Sequence, residues 1–213
     1  MRTEDLIASL SADLKPLARH AVAGRLALGV GMGGALALVL LLFWLGLRPD
    51  IAPAAASSMF WMKLAFTFSV ALAALVVVER LARPGAGIGR FWWCVAAPVL
   101  IVAMMGAAQL SMAPAGARGA MWLGQSAAQC PVRIVALATP VYVGLVWAFR
   151  RLAPTRLRLA GFGAGIMAGA VGATVYALYC TEDAAAFLAT WYTLGILASG
   201  AIGALFGPRQ LRW

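Results

Sequence analysis

Six long apolar stretches, free of charge through their middles and joined by short connections, constrain this chain more than any other feature. A helix needs roughly 20 apolar residues to cross the hydrocarbon of a bilayer, and stretches at about 26–47, 59–78, 92–112, 133–149, 159–179 and 185–206 supply that length. The 213-residue chain is 63% hydrophobic and only 11% charged. Charged residues ordinarily fill about a quarter of a globular sequence, so so much apolar surface cannot be enclosed in one soluble core. Lipid is the solvent that fits. The expected fold class is therefore all-α: a polytopic membrane protein with six transmembrane helices. Residues 26–213 form the transmembrane domain and residues 1–25 a polar N-terminal segment, which leaves no room for a soluble catalytic domain.

The basic residues orient such a bundle. With the N-terminus in the cytoplasm, the inner side carries Arg2, Lys15, Arg19, Arg25, Arg80, Arg83, Arg90, Arg150, Arg151, Arg156, Arg158, Arg209 and Arg212. The outer side carries Arg48, Lys63, Arg118 and Arg133. Thirteen against four predicts that both termini are cytoplasmic in a bacterial inner membrane, because short loops rich in Lys and Arg stay on the inner side. The same distribution explains the net charge of +10 without nucleic acid: the inner charges lie where anionic headgroups meet them, and no recognition helix or aromatic-basic platform is present.

Ala52–Pro53–Ala54–Ala55–Ala56 resembles a signal-peptide cleavage region, but the apolar run before it is too long and follows a segment containing Glu4, Asp5 and Asp13. That run reads as a retained anchor. Most of the eight Trp residues fall near predicted span ends, as in interfacial belts. The fifth span carries Gly161, Gly165 and Gly169, and the sixth Gly195, Ser199, Gly203 and Gly207. Small residues at this spacing let helices approach closely, either these two against each other or a second copy of the chain as a homodimer face. Pro98 and Pro140 fall inside the third and fourth spans.

Coupled transporters keep carboxylates or His near the membrane midplane. Here the midplane positions are uncharged, Gln109 is the most polar residue inside a span, and Lys63 and Arg133 are expected to snorkel to the outer interface. No GxxxxGK[ST], HExxH or GxSxG pattern occurs, His20 lies in the N-terminal segment, and nothing implies a cofactor. The chain therefore reads as a non-enzyme. A small-solute transporter or channel remains the alternative, and the lack of a C-x-x-C pair disfavours a thiol oxidoreductase.

Within the N-terminal segment, Thr3 can cap a helix whose first turn carries Glu4 and Asp5. Leu6, Ile7, Leu10, Leu14 and Leu17 recur at helical spacing, with Ser9, Ser11 and Asp13 off the stripe. So short a helix cannot bury that stripe on itself. Its partner is the bilayer surface, the chain's own bundle or a groove on another protein; the acidic character of the first thirteen residues favours the last.

Three cysteines complete the inventory. Cys130, between the third and fourth spans, and Cys180, ending the fifth, fall on the outer side, while Cys94 falls near the inner end of the third. In an oxidising compartment two thiols within reach form a disulfide, provided their Cα atoms come within about 7 Å. A stabilising disulfide, two unpaired thiols and a redox or metal-sensing pair all remain open.

The opening Thr3–Glu4–Asp5–Leu6–Ile7 through Asp13–Leu14–Lys15–Pro16 resembles that of the NrsF-like anti-sigma factors. So do Cys130, Ala153–Pro154 with Ala160–Gly161 and Gly165, and Tyr176–Ala177–Leu178–Tyr179–Cys180 continuing to Phe187 and Trp191–Tyr192. The resemblance spans nearly the whole chain and implies a six-helix inner-membrane protein. It further implies that the N-terminal segment holds an extracytoplasmic-function sigma factor through Leu6, Ile7, Leu10, Asp13 and Leu14, and that Cys130 and Cys180 sense redox or metal stress. In one respect the chain departs from the pattern: Tyr179 stands where many members carry His before the second cysteine. Two thiolates alone leave a zinc-type site two ligands short, to which Glu182 and Asp183 could contribute.

Overall fold

Backbone hydrogen bonds that cannot be made to lipid are made within helices. The computed structural model describes residues 3–4, 21–83, 85, 89–152 and 154–212, and no strand occurs among them. Six helices are long and apolar enough to cross a membrane: α1 (Ala21–Trp44), α3 (Ser58–Leu81), α4 (Trp92–Met112), α6 (Cys130–Phe149), α7 (Leu157–Tyr176) and α8 (Ala185–Gln210). Two short helices, α2 (Ile51–Ala55) and α5 (Ala115–Leu123), lie in connections. Each 24-residue helix rises about 36 Å, enough to cross a hydrocarbon core of about 30 Å. The chain is a multi-pass membrane protein, and all six expected spans are present. Their ends move by a few residues: α1 takes in Arg25, and α6 begins at Cys130 rather than three residues later.

The core is set by α7. Its glycines and alanines are buried almost all round, so neighbouring backbones meet it directly. A Cβ on Gly161 would strike the Gly203 carbonyl, one on Gly165 the Ser199 carbonyl, and one on Gly169 would lie 2.9 Å from the Ile196 Cα. The two small-residue stripes therefore pack on each other, antiparallel, inside one chain, and neither is left as a homodimer face. A second close approach was not expected from the sequence: Gly29 of α1 meets Gly144 of α6 backbone to backbone. α4 lies at the periphery, with only Val102 and Gly106 buried.

The bundle has two distinct ends. At one, the Arg150 Nε donates to the Gln210 carbonyl at 3.1 Å. At the other, the Arg48 backbone N–H donates to Leu178 at 3.1 Å, and Cys130 and Cys180 lie nearby. Trp indoles ring the cysteine end: Trp61 donates to the Ala55 carbonyl at 2.8 Å, Trp122 to Thr190 at 3.0 Å and Trp191 to the Trp122 carbonyl at 2.9 Å.

Candidate functional site

The site assembles at the cysteine end. Cys130 opens α6 and shares its buried face with Ile134, Leu137, Val141 and Leu145, a helical spacing that turns the thiol inward. Cys180 follows the last turn of α7, its N–H donating to the Tyr176 carbonyl at 3.0 Å. Both cysteines are free thiols, with Cys130 at 0% and Cys180 at 2% exposure. They lie at the same end, as expected, but face the core. Tyr176 and Tyr192 enclose them, ring centroids 5.8 Å apart, and the Tyr192 hydroxyl sits beside the Cys180 thiol. Neither tyrosine hydroxyl makes a hydrogen bond of good geometry among the described residues; Arg133 approaches the one on Tyr176 and the Cys180 thiol the one on Tyr192. Tyr192 ends a π-helical stretch, Leu188–Tyr192, a local widening often found at functional positions. Two buried hydroxyls with weak partners thus lie beside the two thiols.

Above the thiols runs an ion-pair network. Lys63 of α3 is fully buried; its Nζ lies 3.1 Å from the Asp183 carboxylate and donates to the Cys180 carbonyl at 3.0 Å. Arg48, 4% exposed, grips Asp50 through two bonds of 2.8 Å, reaches the Cys180 carbonyl at 3.4 Å and lies 3.7 Å from Asp183. Two cations thus face two carboxylates, a balance that buried charge requires. The bonds from Arg48 hold Asp50 below its ordinary value of 3.8, and the Asp50 carboxylate in turn raises Arg48.

The neighbouring carboxylate points elsewhere. Glu182 accepts from the Gln125 N–H at 2.7 Å and the Ser126 hydroxyl at 3.3 Å. Gly124 makes this contact possible twice over: its φ of 56° suits glycine, and a Cβ there would lie 2.6 Å from the Glu182 carboxylate. Arg133 donates to the Tyr179 hydroxyl at 3.4 Å, with its guanidinium 5.2 Å from the Tyr179 ring centre. Between these groups lies a polar recess of about 280 Å³ that reaches Cys180.

The family described as NrsF, negative regulator of sigma F, matches residues 10–213. The chain belongs to the NrsF family. It is 43% identical over 215 residues to a protein of Caulobacter vibrioides (strain NA1000 / CB15N) named anti-sigma-F factor NrsF, with 100% of both chains covered. It is 40% identical over 213 residues to one of Azospira oryzae (strain ATCC BAA-33 / DSM 13638 / PS) named probable anti-sigma-F factor NrsF, again with 100% of both covered. No solved structure matches.

In this NrsF chain the structure brings together one of the two predicted site groups. Cys130 and Cys180 are both in the buried core at the same end and near enough to influence each other electrostatically. Leu6, Ile7, Leu10, Asp13 and Leu14 lie outside the described residues. Lys63 departs from expectation, because it does not snorkel to the interface. The signal was in the helical phase: Lys63 shares a stripe with Phe60, Thr67, Val70 and Ala74, all buried, so it points into the bundle. Glu182 and Asp183 are engaged by the loop and the cations, and no group of three or more His, Cys, Asp or Glu that could hold a metal exists among the described residues. Gln109 accepts from the Ala186 N–H at 3.4 Å, which ties α4 to the start of α8.

Proposed function

We propose that this chain is a membrane anti-sigma factor that keeps an extracytoplasmic-function sigma factor from RNA polymerase. The observation that carries the reading is full-length identity of 43% to a protein named anti-sigma-F factor. In this reading residues 1–25 lie in the cytoplasm and hold the sigma factor on the stripe of Leu6, Ile7, Leu10 and Leu14, with Asp13 at its edge, while residues 26–213 anchor it in the inner membrane. The bias of thirteen basic residues against four supports that orientation, in which Cys130 and Cys180 lie toward the periplasm. The thiol pair is the sensor. Hydrogen peroxide would take two electrons and two protons from the thiols, join the sulfurs as a disulfide and leave as two waters. Shifting from two thiols to one bonded pair changes the packing of α6, α7 and α8, and the sigma factor is released if the altered bundle binds it less tightly.

The reading is tested with the full chain in lipid nanodiscs and its cognate sigma factor. Capture is expected from the native chain under reducing conditions, and Leu10→Asp, which puts a charge in the apolar stripe, is expected to abolish it. Undiminished capture by Leu10→Asp would remove the N-terminal helix from the mechanism.

A further inference from the structure

We infer that Asp183 and Glu182, with the buried Lys63, form a latch that holds the turn between α7 and α8 closed over the thiols and so sets how fast Cys130 and Cys180 can be reached. The inference deepens the reading of those cysteines as the sensing pair and rests on it for its biological meaning. Its geometry stands independently.

The thiols are 0% and 2% exposed, so no reagent meets them until something moves. Residues 180–184, which include Cys180 and bring Glu182 near Cys130, have no regular secondary structure and are the part of this end freest to move. Residues 181–183 make no backbone–backbone hydrogen bond among the described residues. Side chains therefore hold this turn in place. Asp183 draws it toward α3 and the end of α1 through Lys63 at 3.1 Å and Arg48 at 3.7 Å. Glu182 draws it the other way, to the α5–α6 loop, through Gln125 and Ser126. Lys63 also fixes the Cys180 carbonyl itself at 3.0 Å. Consecutive carboxylates thus tie the turn to two different parts of the chain.

Lys63 makes the latch stiff. A fully buried ammonium has no water to turn to, so opening the turn must strip it of both Asp183 and the Cys180 carbonyl at once. The glycine at position 124 belongs to the same device, because any side chain there would occupy the place of the Glu182 carboxylate. Arg48, Lys63, Asp183 and Glu182 are positioning residues in this account: they act through the access they allow to the two sulfurs.

The test is site-resolved labelling of the full chain in nanodiscs by N-ethylmaleimide, read by mass spectrometry at each cysteine. Cys94 is exposed on α4 and serves as the internal reference. Asp183→Asn should accelerate labelling of Cys130 and Cys180 about tenfold or more while leaving the Cys94 rate unchanged. Glu182→Ala removes the acceptor of both the Gln125 and Ser126 bonds without stranding a buried charge and should give a smaller acceleration at the same two sites, which keeps the test decisive if Asp183→Asn folds poorly. Unchanged rates at Cys130 and Cys180 in both variants would overturn the latch. So would equal acceleration at all three cysteines, which marks general loosening. Because no sigma factor is present, this result is independent of whether capture by the N-terminal segment occurs.

Discussion

Removing one partner of the Lys63–Asp183 pair should have unequal consequences, depending on which partner is removed. Asp183 is 39% exposed on its side chain, and Arg48 lies 3.7 Å away, so Lys63→Met leaves a carboxylate that keeps both water and a cation. Methionine also fills much of the vacated volume. The expected cost is about 1 kcal/mol, the scale of a partly solvated pair. Asp183→Leu does the opposite and leaves the ammonium of Lys63, with 0% exposure, facing only the Cys180 carbonyl. Breaking a buried pair in this way costs about 3–5 kcal/mol, because the remaining charge has lost its compensation. For a chain of this size, each kcal/mol corresponds to a shift in Tm of about 2–4 °C. Thermal unfolding in detergent micelles, followed by circular dichroism, should show a drop of roughly 10 °C for Asp183→Leu and a few degrees for Lys63→Met. The double variant Lys63→Met/Asp183→Leu should recover most of the loss, since neither charge is then stranded. If Lys63→Met proved as costly as Asp183→Leu, or the double variant were worse than Asp183→Leu alone, the account of Lys63 as a buried, paired cation would be wrong.

Other outcomes follow from particular contacts. Gly203→Val should separate α8 from Gly161 of α7 and destabilise the bundle by about 1–3 kcal/mol, measured by the same unfolding assay. Tyr192→Phe removes a buried hydroxyl that makes no hydrogen bond of good geometry among the described residues and should leave the Tm unchanged or raise it, whereas a loss above about 1 kcal/mol would reveal a hydrogen bond to that hydroxyl. Asp50 titrates below 3.8 when folded, so its pairing with Arg48 contributes stability above that value and loses it as pH falls through the depressed one. Asp50→Asn should therefore lower stability near neutrality and flatten the acid limb of the profile, so that variant and native chain converge at low pH.

Much of the fold was legible because lipid imposes simple rules. Six apolar runs of spanning length gave the six helices, and glycine spacing in the fifth and sixth gave the α7–α8 contact. The approach of α1 to α6 was missed although Gly29, Gly33 and Ala37 form a four-residue stripe on α1, because α6 offers only Gly144 opposite it and no matching stripe to mark the partner. The site was half legible. Residue type pointed to Cys130 and Cys180, but their burial depended on where α6 begins, and three residues of helix boundary turn Cys130 from a loop position into a core one. Lys63 was misread because its place near a span end suggested the interface, while its phase on α3 directs it inward. Asp183 could not be paired with it from sequence, since 120 residues separate two groups that only the bundle brings to 3.1 Å.

The central claim is that the state of two thiols at one end of the bundle governs a grip exerted at the other. It is tested most directly by measuring sigma-factor binding to the full chain in nanodiscs, reduced and then treated with peroxide, alongside the Cys130→Ser/Cys180→Ser variant. Strong binding when reduced, loss on oxidation and retention by the double-serine variant under the same oxidant is the predicted pattern. Equal affinity of the native chain in both states would contradict it.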